Sequence, residues 1–375
     1  MSYRSKDIII TVKWMLEVVG IWPRQNPDLI YLLRRFITIS LYLFIYICNI
    51  LEIILMYEDI LAVSEVLYVM ISLTSYAFKL FAMFTKKTLI YSLENDIESN
   101  IFNPNSKTHD EILEENVLFI RKLVKMYQFS AVSSAGLFGI FPLLANKSLP
   151  IRFSYNIGNF KPIMFALQVI GLGVCAWSNI SLDLLCTTLM VVSAVQFDSL
   201  KHRLVHGPTK NSSIQQREDD LRYCIQHHLA IINYTKKVDK LFSFAILTIF
   251  LGGMVESCNS IFQVFILLET TFSAMQFVQL ITYFLVMYVE MVLYCWFGNE
   301  IIIKSLTIMD ACYETEWYSY SQKSKKSLIF IMERAKYPLY INVSKFTVAS
   351  LVTLVAITRW SYSAFTLLRR VYGTH

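Results

Sequence analysis

The sequence predicts an all-α polytopic membrane protein with seven transmembrane helices, and three observations carry that prediction. Of its 375 residues, 55% are hydrophobic and only 17% charged, against about a quarter charged in ordinary soluble domains. Seven stretches reach the roughly 20 mainly apolar residues that a spanning helix needs, at 36–57, 60–84, 123–145, 163–197, 241–268, 274–303 and 344–368. Runs such as Phe36–Tyr46 are apolar on every face, whereas barrel strands would alternate in polarity over about ten residues. The hydrophobic content also excludes a disordered chain.

Taken in order, residues 1–35 read as a cytoplasmic N-terminal segment. They hold Arg4, Lys6, Lys13, Arg24, Arg34 and Arg35 with no preceding apolar core, so no cleavable signal peptide is expected. The segments before, between and after the spans hold 26 lysines and arginines on one side against 5 on the other. The positive-inside rule then places the N-terminus in the cytoplasm and, after seven crossings, the C-terminus outside. The sequon at Asn146 falls in a predicted outer loop and agrees, whereas the one at Asn211 falls inside.

Six helices over 36–303 are expected to form one region, with cytoplasmic extensions at 85–122 and 199–240. Anchor helices follow at 304–345 and a seventh helix at 346–370. Within the extensions, Ile112, Leu113, Val117, Leu118 and Ile120 recur near helical spacing, as do Leu221, Ile225, Leu229 and Ile232. Such stripes suit helices packed into a compact collar, or helices lying on the inner leaflet.

No enzyme constellation appears. There is no Gly-rich phosphate loop, no His-Glu-x-x-His and no Gly-x-Ser-x-Gly elbow, so neither catalytic residues nor a cofactor or metal site is expected. His202, His206, His227 and His228 read as solvated cytoplasmic side chains. The seven cysteines have no paired spacing and read as small apolar packing residues. Ionisable groups inside spans are more informative, because each must face protein or water and find a partner. Lys79, Asp183 and Glu290 all fall in the cytoplasmic halves of their helices, which makes a Lys79–Asp183 or Lys79–Glu290 pair reasonable.

The outer halves of the second, third, fourth and sixth spans are nearly uncharged. Val69, Ser72, Leu73 and Tyr76 share one face of the second span, and Ser133, Gly136 and Ile140 leave room on the third. The fourth offers Val169, Leu172 and Ala176, and the sixth Gln279, Tyr283 and Met287. These surfaces suit a small apolar ligand pocket; close helix packing through small residues reads equally well from composition.

The C-terminal third resembles the insect odorant receptor family. That family's last span ends close to Ser-Tyr-Ser-Tyr-Phe-Thr-Leu-Leu-Arg, and here Ser361-Tyr362-Ser363-Ala364-Phe365-Thr366-Leu367-Leu368-Arg369 stands in its place. Tyr337-Pro338-Leu339, Ser344-Lys345-Phe346 and Ser350-Leu351-Val352-Thr353-Leu354 resemble the elements that precede it. Gly298 after Cys295-Trp296-Phe297, Tyr313 with Trp317-Tyr318, and Gly20-Ile21-Trp22-Pro23 are of the same kind. Ala364 departs from an aromatic, and Val352 and Leu354 depart from Glu and Phe.

The resemblance implies a ligand-gated, non-selective cation channel in the plasma membrane of olfactory sensory neurons. It implies a heterotetramer with a common odorant receptor coreceptor, a pore lined by the seventh helix, and a small apolar odorant held among the second, third, fourth and sixth helices. The coreceptor carries a long cytoplasmic insert that segment 199–240 lacks, so the chain resembles the odorant-specific subunit. Within the seventh helix Leu367 is then the expected hydrophobic constriction, with Ser363 one turn below it and Thr366 beside it. A G-protein-coupled receptor would need the opposite orientation and shows motifs absent here. A gustatory-type receptor would carry a Thr-Tyr…Gln-Phe pattern in the last helix, also absent.

Overall fold

The computed structural model describes residues 3–103, 107–144, 151, 158–207, 213–269, 273–344 and 346–372. Asn146, Asn211 and Lys345 lie outside the described residues. The membrane helices are α2 (Leu29–Leu55), α3 (Ile60–Thr85), α5 (Lys107–Leu144), α6 (Lys161–His206), α7 (Ile214–Glu269), α8 (Ala274–Glu314) and α10 (Leu351–Tyr372). Three shorter helices, α1 (Lys6–Val18), α4 (Lys87–Glu98) and α9 (Gln322–Ala335), lie at the end of the bundle that carries the basic loops. All except α5 are, among the membrane helices, long and apolar enough by composition to cross a bilayer. In α5, Tyr127, Gln128, Ser130, Ser133 and Ser134 dilute the apolar run.

α6 occupies the centre, packed against α1, α2, α5, α7 and α8. Every residue from 178 to 197 is buried, which is why this helix is apolar or small on all sides rather than along one stripe. Its 46 residues extend about 69 Å at 1.5 Å per residue, more than twice the hydrocarbon thickness. The excess projects into the collar with the ends of α5, α7 and α8. There Leu113, Val117, Ile120, Leu221 and Ile232 turn inward, while Leu118 and Leu229 are exposed.

The collar corrects the expectation of solvated histidines for His227 and His228, whereas His206 is exposed and His202 half-buried. His227 and His228 are buried, and His227 Nε2 lies 2.8 Å from Gln196 Oε1. Gln196 Nε2 donates to Ser5 Oγ and to the Phe102 carbonyl, and His109 Nδ1 is 2.7 Å from Ser199 Oγ. This polar core joins α1, α5, α6 and α7. Burial pushes His227 down to about 3 and His228 down to about 4, so both are neutral imidazoles that serve as hydrogen-bonding groups.

Two glycines of the family-like motifs have clear steric duties. Gly20 sits at φ +76°, a left-handed conformation costly for other residues. Its carbonyl accepts from Arg35 Nε at 2.8 Å, and Tyr31 donates to the Trp22 carbonyl at 2.6 Å, so the turn after α1 is stitched to α2. On α8, a Cβ at position 298 would stand 2.3 Å from the Ala349 carbonyl oxygen. Only glycine there lets the chain entering α10 lie against α8.

α10 begins at Leu351, five residues later than expected. Its predecessor is a two-stranded antiparallel hairpin, β1 (Asn342–Val343) and β2 (Thr347–Val348), with Asn342 opposite Val348. Asp239 of α7 accepts from the Asn342 backbone N–H at 2.6 Å, and Ser243 Oγ accepts from the Ser344 N–H at 2.9 Å. These bonds hold the backbone out of helix.

Candidate ligand-binding site

A cavity of about 100 Å³ lies between α3, α5, α6 and α8. Each helix contributes a stripe at helical spacing. From α3 come Val69, Ser72, Leu73 and Tyr76, and from α8 Tyr283, Val286, Met287 and Glu290. α6 supplies Leu172, Cys175, Ala176, Asn179 and Ile180, and α5 supplies Tyr127, Ala131, Ser134, Ala135 and Phe138. The small side chains on α5 and α6 create the space, and the aromatic rings of Tyr76, Phe138 and Tyr283 bound it. Tyr283 is fixed from behind, its hydroxyl donating to the Tyr68 carbonyl at 3.0 Å and to Glu256 at 3.3 Å. The volume is of the order of the ~150 Å³ apolar cavity that accommodates benzene in an engineered protein.

Eight of the thirteen expected wall residues border this cavity: Val69, Ser72, Leu73, Tyr76, Leu172, Ala176, Tyr283 and Met287. The five others do not. On α5 the cavity is bordered by Ser134 and Ala135, which lie between the expected Ser133 and Gly136, and Ile140 is exposed. Val169 packs against Gly139 instead, and Gln279 is buried outside the wall. Phe138, Tyr127, Asn179 and Glu290 border the cavity without having been expected as ligand contacts. On α5 the spacing Tyr127, Ala131, Ser134, Phe138 was the available signal.

Beneath the cavity, Lys79 is paired with both candidate carboxylates. Its Nζ lies 2.5 Å from Asp183 Oδ1 and 2.7 Å from Glu290 Oε1, all three side chains being buried. Asn179 Oδ1 accepts from Lys79 at 2.9 Å, and Tyr294 donates to Asp183 at 2.8 Å. Burying charge in a bilayer interior is costly unless it is paired and hydrogen-bonded, and this cluster meets both conditions while joining α3, α6 and α8. Among the described residues no group of three or more His, Cys, Asp or Glu could hold a metal ion.

α10 packs against α7 and α8 through Leu354, Ile357 and Ser361, the Ser361 hydroxyl donating to the Met254 carbonyl at 3.2 Å. Among the described residues nothing covers its opposite face. Leu367 is 66% exposed, with Ser363 and Thr366 exposed beside it. Arg369, near the end of the helix, is turned onto α7, its guanidinium 5.0 Å from the Phe265 ring centroid.

Fold and site together define a polytopic all-α membrane protein built around a small, mostly apolar cavity with an ion-paired floor. The chain belongs to the 7tm Odorant receptor family, whose sequence model matches residues 59–362. It is 29% identical over 218 residues to odorant receptor Or2 of Anopheles gambiae, covering 56% of this chain and 57% of that one. To odorant receptor 10 of Aedes albopictus it is 26% identical over 308 residues, covering 76% and 80%. The match to odorant receptor 67c of Drosophila melanogaster takes in 46% of that protein, so the chain spans about half the length of some curated relatives it matches. In fold it is similar to the insect olfactory receptor OR5 from Machilis hrabei in complex with eugenol, with a TM-score of 0.84 at 15% identity over 98% of both chains. A second structure of that receptor gives 0.85 at 14% identity, again over 98% of both. The chain is therefore a multi-pass membrane protein of the odorant receptor family.

Proposed function

We propose that this chain is the odorant-specific subunit of an odorant-gated, non-selective cation channel, assembled with an odorant receptor coreceptor in the plasma membrane of olfactory sensory neurons. The observation that carries the reading is the cavity of about 100 Å³ between α3, α5, α6 and α8, separate from a last helix whose outer face is not covered by the described residues. A small volatile occupies the cavity, with Val69, Ser72, Leu73, Tyr76, Leu172, Ala176, Tyr283 and Met287 among its contacts. Copies of α10 from neighbouring subunits line the pore, with Leu367 as the constriction that closes it by dewetting, and Ser363 and Thr366 lining the wall next to it. Supporting this arrangement, Arg369 is turned toward Phe265, which draws its charge away from a cation path along the uncovered face.

Gating is a population shift: the ligand binds more tightly to a conformation in which the α10 helices stand apart at Leu367, and the channel opens in proportion to that difference. Burying about 150–200 Å² of apolar ligand surface is worth roughly 4–5 kcal/mol, enough to move such an equilibrium substantially. The test is a current recording from cells expressing the chain with and without a coreceptor, against an odorant panel and with G-protein signalling blocked. A cation current that needs the coreceptor and survives the block is the expected result. A response abolished by the block would assign the receptor to G-protein signalling instead.

A further inference from the structure

The end of the cavity nearest the ion-paired cluster is polar in a way that apolar odorant binding does not use. Tyr127 is 3% exposed and borders the cavity, and its phenolic oxygen has no hydrogen-bond partner among the described residues. Leaving a buried hydroxyl unpaired forfeits its hydration with nothing in return, so the group awaits a partner that enters from the cavity. Glu290 and Asn179 border the same end. Each gives one oxygen to Lys79, at 2.7 and 2.9 Å. Lys79 holds Asp183 as well, so its three ammonium protons are all engaged and none is left for a ligand. Tyr127 is the lining residue nearest the start of α5, while Glu290 is the last lining residue along α8 and Asn179 the next to last along α6, helices that run antiparallel to α5, so the three meet at one end of the cavity.

We propose that Tyr127 and Glu290 form a polar subsite for the hydroxyl group of an alcohol-type odorant, whose apolar body fills the remainder of the cavity. This rests on the cavity being the odorant site. The argument is one of donor and acceptor matching. An ionised carboxylate only accepts, whereas a phenol both donates and accepts. A ligand hydroxyl donates to Glu290 and accepts from Tyr127, satisfying both at once. An ether or aldehyde only accepts, which serves Tyr127 and leaves Glu290 without a donor from the cavity. A carboxylic acid would bring a third carboxylate beside Asp183 and Glu290. A protonated amine would place a second ammonium next to Lys79, which already occupies Glu290 Oε1, and would have to shed its own hydration to enter.

The test is ligand-induced thermal stabilisation of the full-length receptor in lipid nanodiscs, using probes that share one hexyl skeleton: 1-hexanol, hexyl methyl ether, hexanal, hexylamine, hexanoic acid and hexane. Hexanol should act at a concentration about tenfold below that of the methyl ether, the scale of one well-made hydrogen bond in a buried site. Tyr127→Phe removes a buried oxygen that makes no bond among the described residues, so the empty receptor should melt no lower than the parent. The same variant should weaken hexanol about tenfold and leave hexane as it was. Equal action of hexanol and its ether, or hexylamine ahead of hexanol, would overturn the subsite while leaving the cavity as the binding site. So would a Tyr127→Phe effect that is the same for hexane as for hexanol. Leu73→Trp, which fills the cavity, separates the two readings: hexanol binding that survives it removes the cavity itself from consideration. Absence of binding by every probe would also overturn the proposal.

Discussion

Lys79 Nζ on α3 stands 2.5 Å from Asp183 Oδ1 on α6, with each side chain only 1% exposed. The contact fastens a peripheral membrane helix to the central one, and Glu290 extends the same cluster to α8. Removing the lysine alone would leave two carboxylates buried without their counter-ion, a change that costs on the order of 3–5 kcal/mol. Lys79→Met is therefore expected to abolish the monodisperse receptor peak on size-exclusion chromatography. Exchanging the partners, Lys79→Glu with Glu290→Lys, should restore part of it. No recovery in the exchanged pair would mean that the position of each charge, rather than their pairing, is what the fold requires.

Leu367 is the side chain on which the proposed constriction depends. Shortening it in Leu367→Ala widens and wets a hydrophobic gate, so current in the absence of odorant should rise. Tyr283→Ala should instead shift the odorant concentration dependence and leave ion selectivity alone. Unaltered basal and evoked currents in Leu367→Ala would remove this residue from the gate.

The buried histidines make the collar sensitive to acid. His227 and His228 have folded values of about 3 and about 4, against about 6.5 unfolded. Below about pH 6.5 the unfolded chain takes up protons that the folded chain refuses, so stability is present above that pH and falls as the solution is acidified. The limiting slope is about 1.4 kcal/mol per pH unit for each histidine. His227→Gln, which keeps a hydrogen-bonding side chain beside Gln196, should show a shallower loss than the parent between pH 6.5 and 5. Denaturation midpoints of the two proteins across that range provide the comparison, and parallel curves would speak against burial of His227.

Ser344 is the one non-glycine residue with positive φ among the described residues, at 56°. The left-handed region costs an L-residue roughly 1–2 kcal/mol, part of which glycine returns as chain entropy. Ser344→Gly should stabilise the receptor by about 0.5–1 kcal/mol, seen as a raised melting temperature in nanodiscs. A lowered melting temperature would show that the Ser344 side chain contributes more than its backbone strain removes.

The membrane helices were readable because a lipid-facing surface forces long apolar runs whatever the packing behind them. Burial of each face was less readable. On α5, small or polar residues stand at Ser130, Ser133, Ser134, Gly136 and Gly139, so periodicity defines several candidate inward faces and only contact with α6 and α8 selects one. α3 and α8 have cleaner stripes, and there Val69, Ser72, Leu73, Tyr76, Tyr283 and Met287 border the cavity while Gln279 alone of the expected residues does not. The late start of α10 depends on Asp239 and Ser243, which are far from it in sequence and invisible to local propensity. Burial of His227 likewise depends on Gln196 and Phe102, partners that adjacent letters do not announce.

α1 raises a question of timing. Its bonds to α6 form late in synthesis: Trp177 Nε1 donates to the Met15 carbonyl across 162 residues, and Gln196 Nε2 to Ser5 Oγ across 191. At translation rates of about 5–20 residues per second, the ribosome takes roughly 10–40 s to supply the second contact. Throughout that interval the apolar side of α1, with Ile8, Val12 and Leu16, has no α6 to cover it. An arrested chain that stops short of α6 could cover α1 only with α4 and α5, and the seat that α6 provides in the finished protein would stay empty.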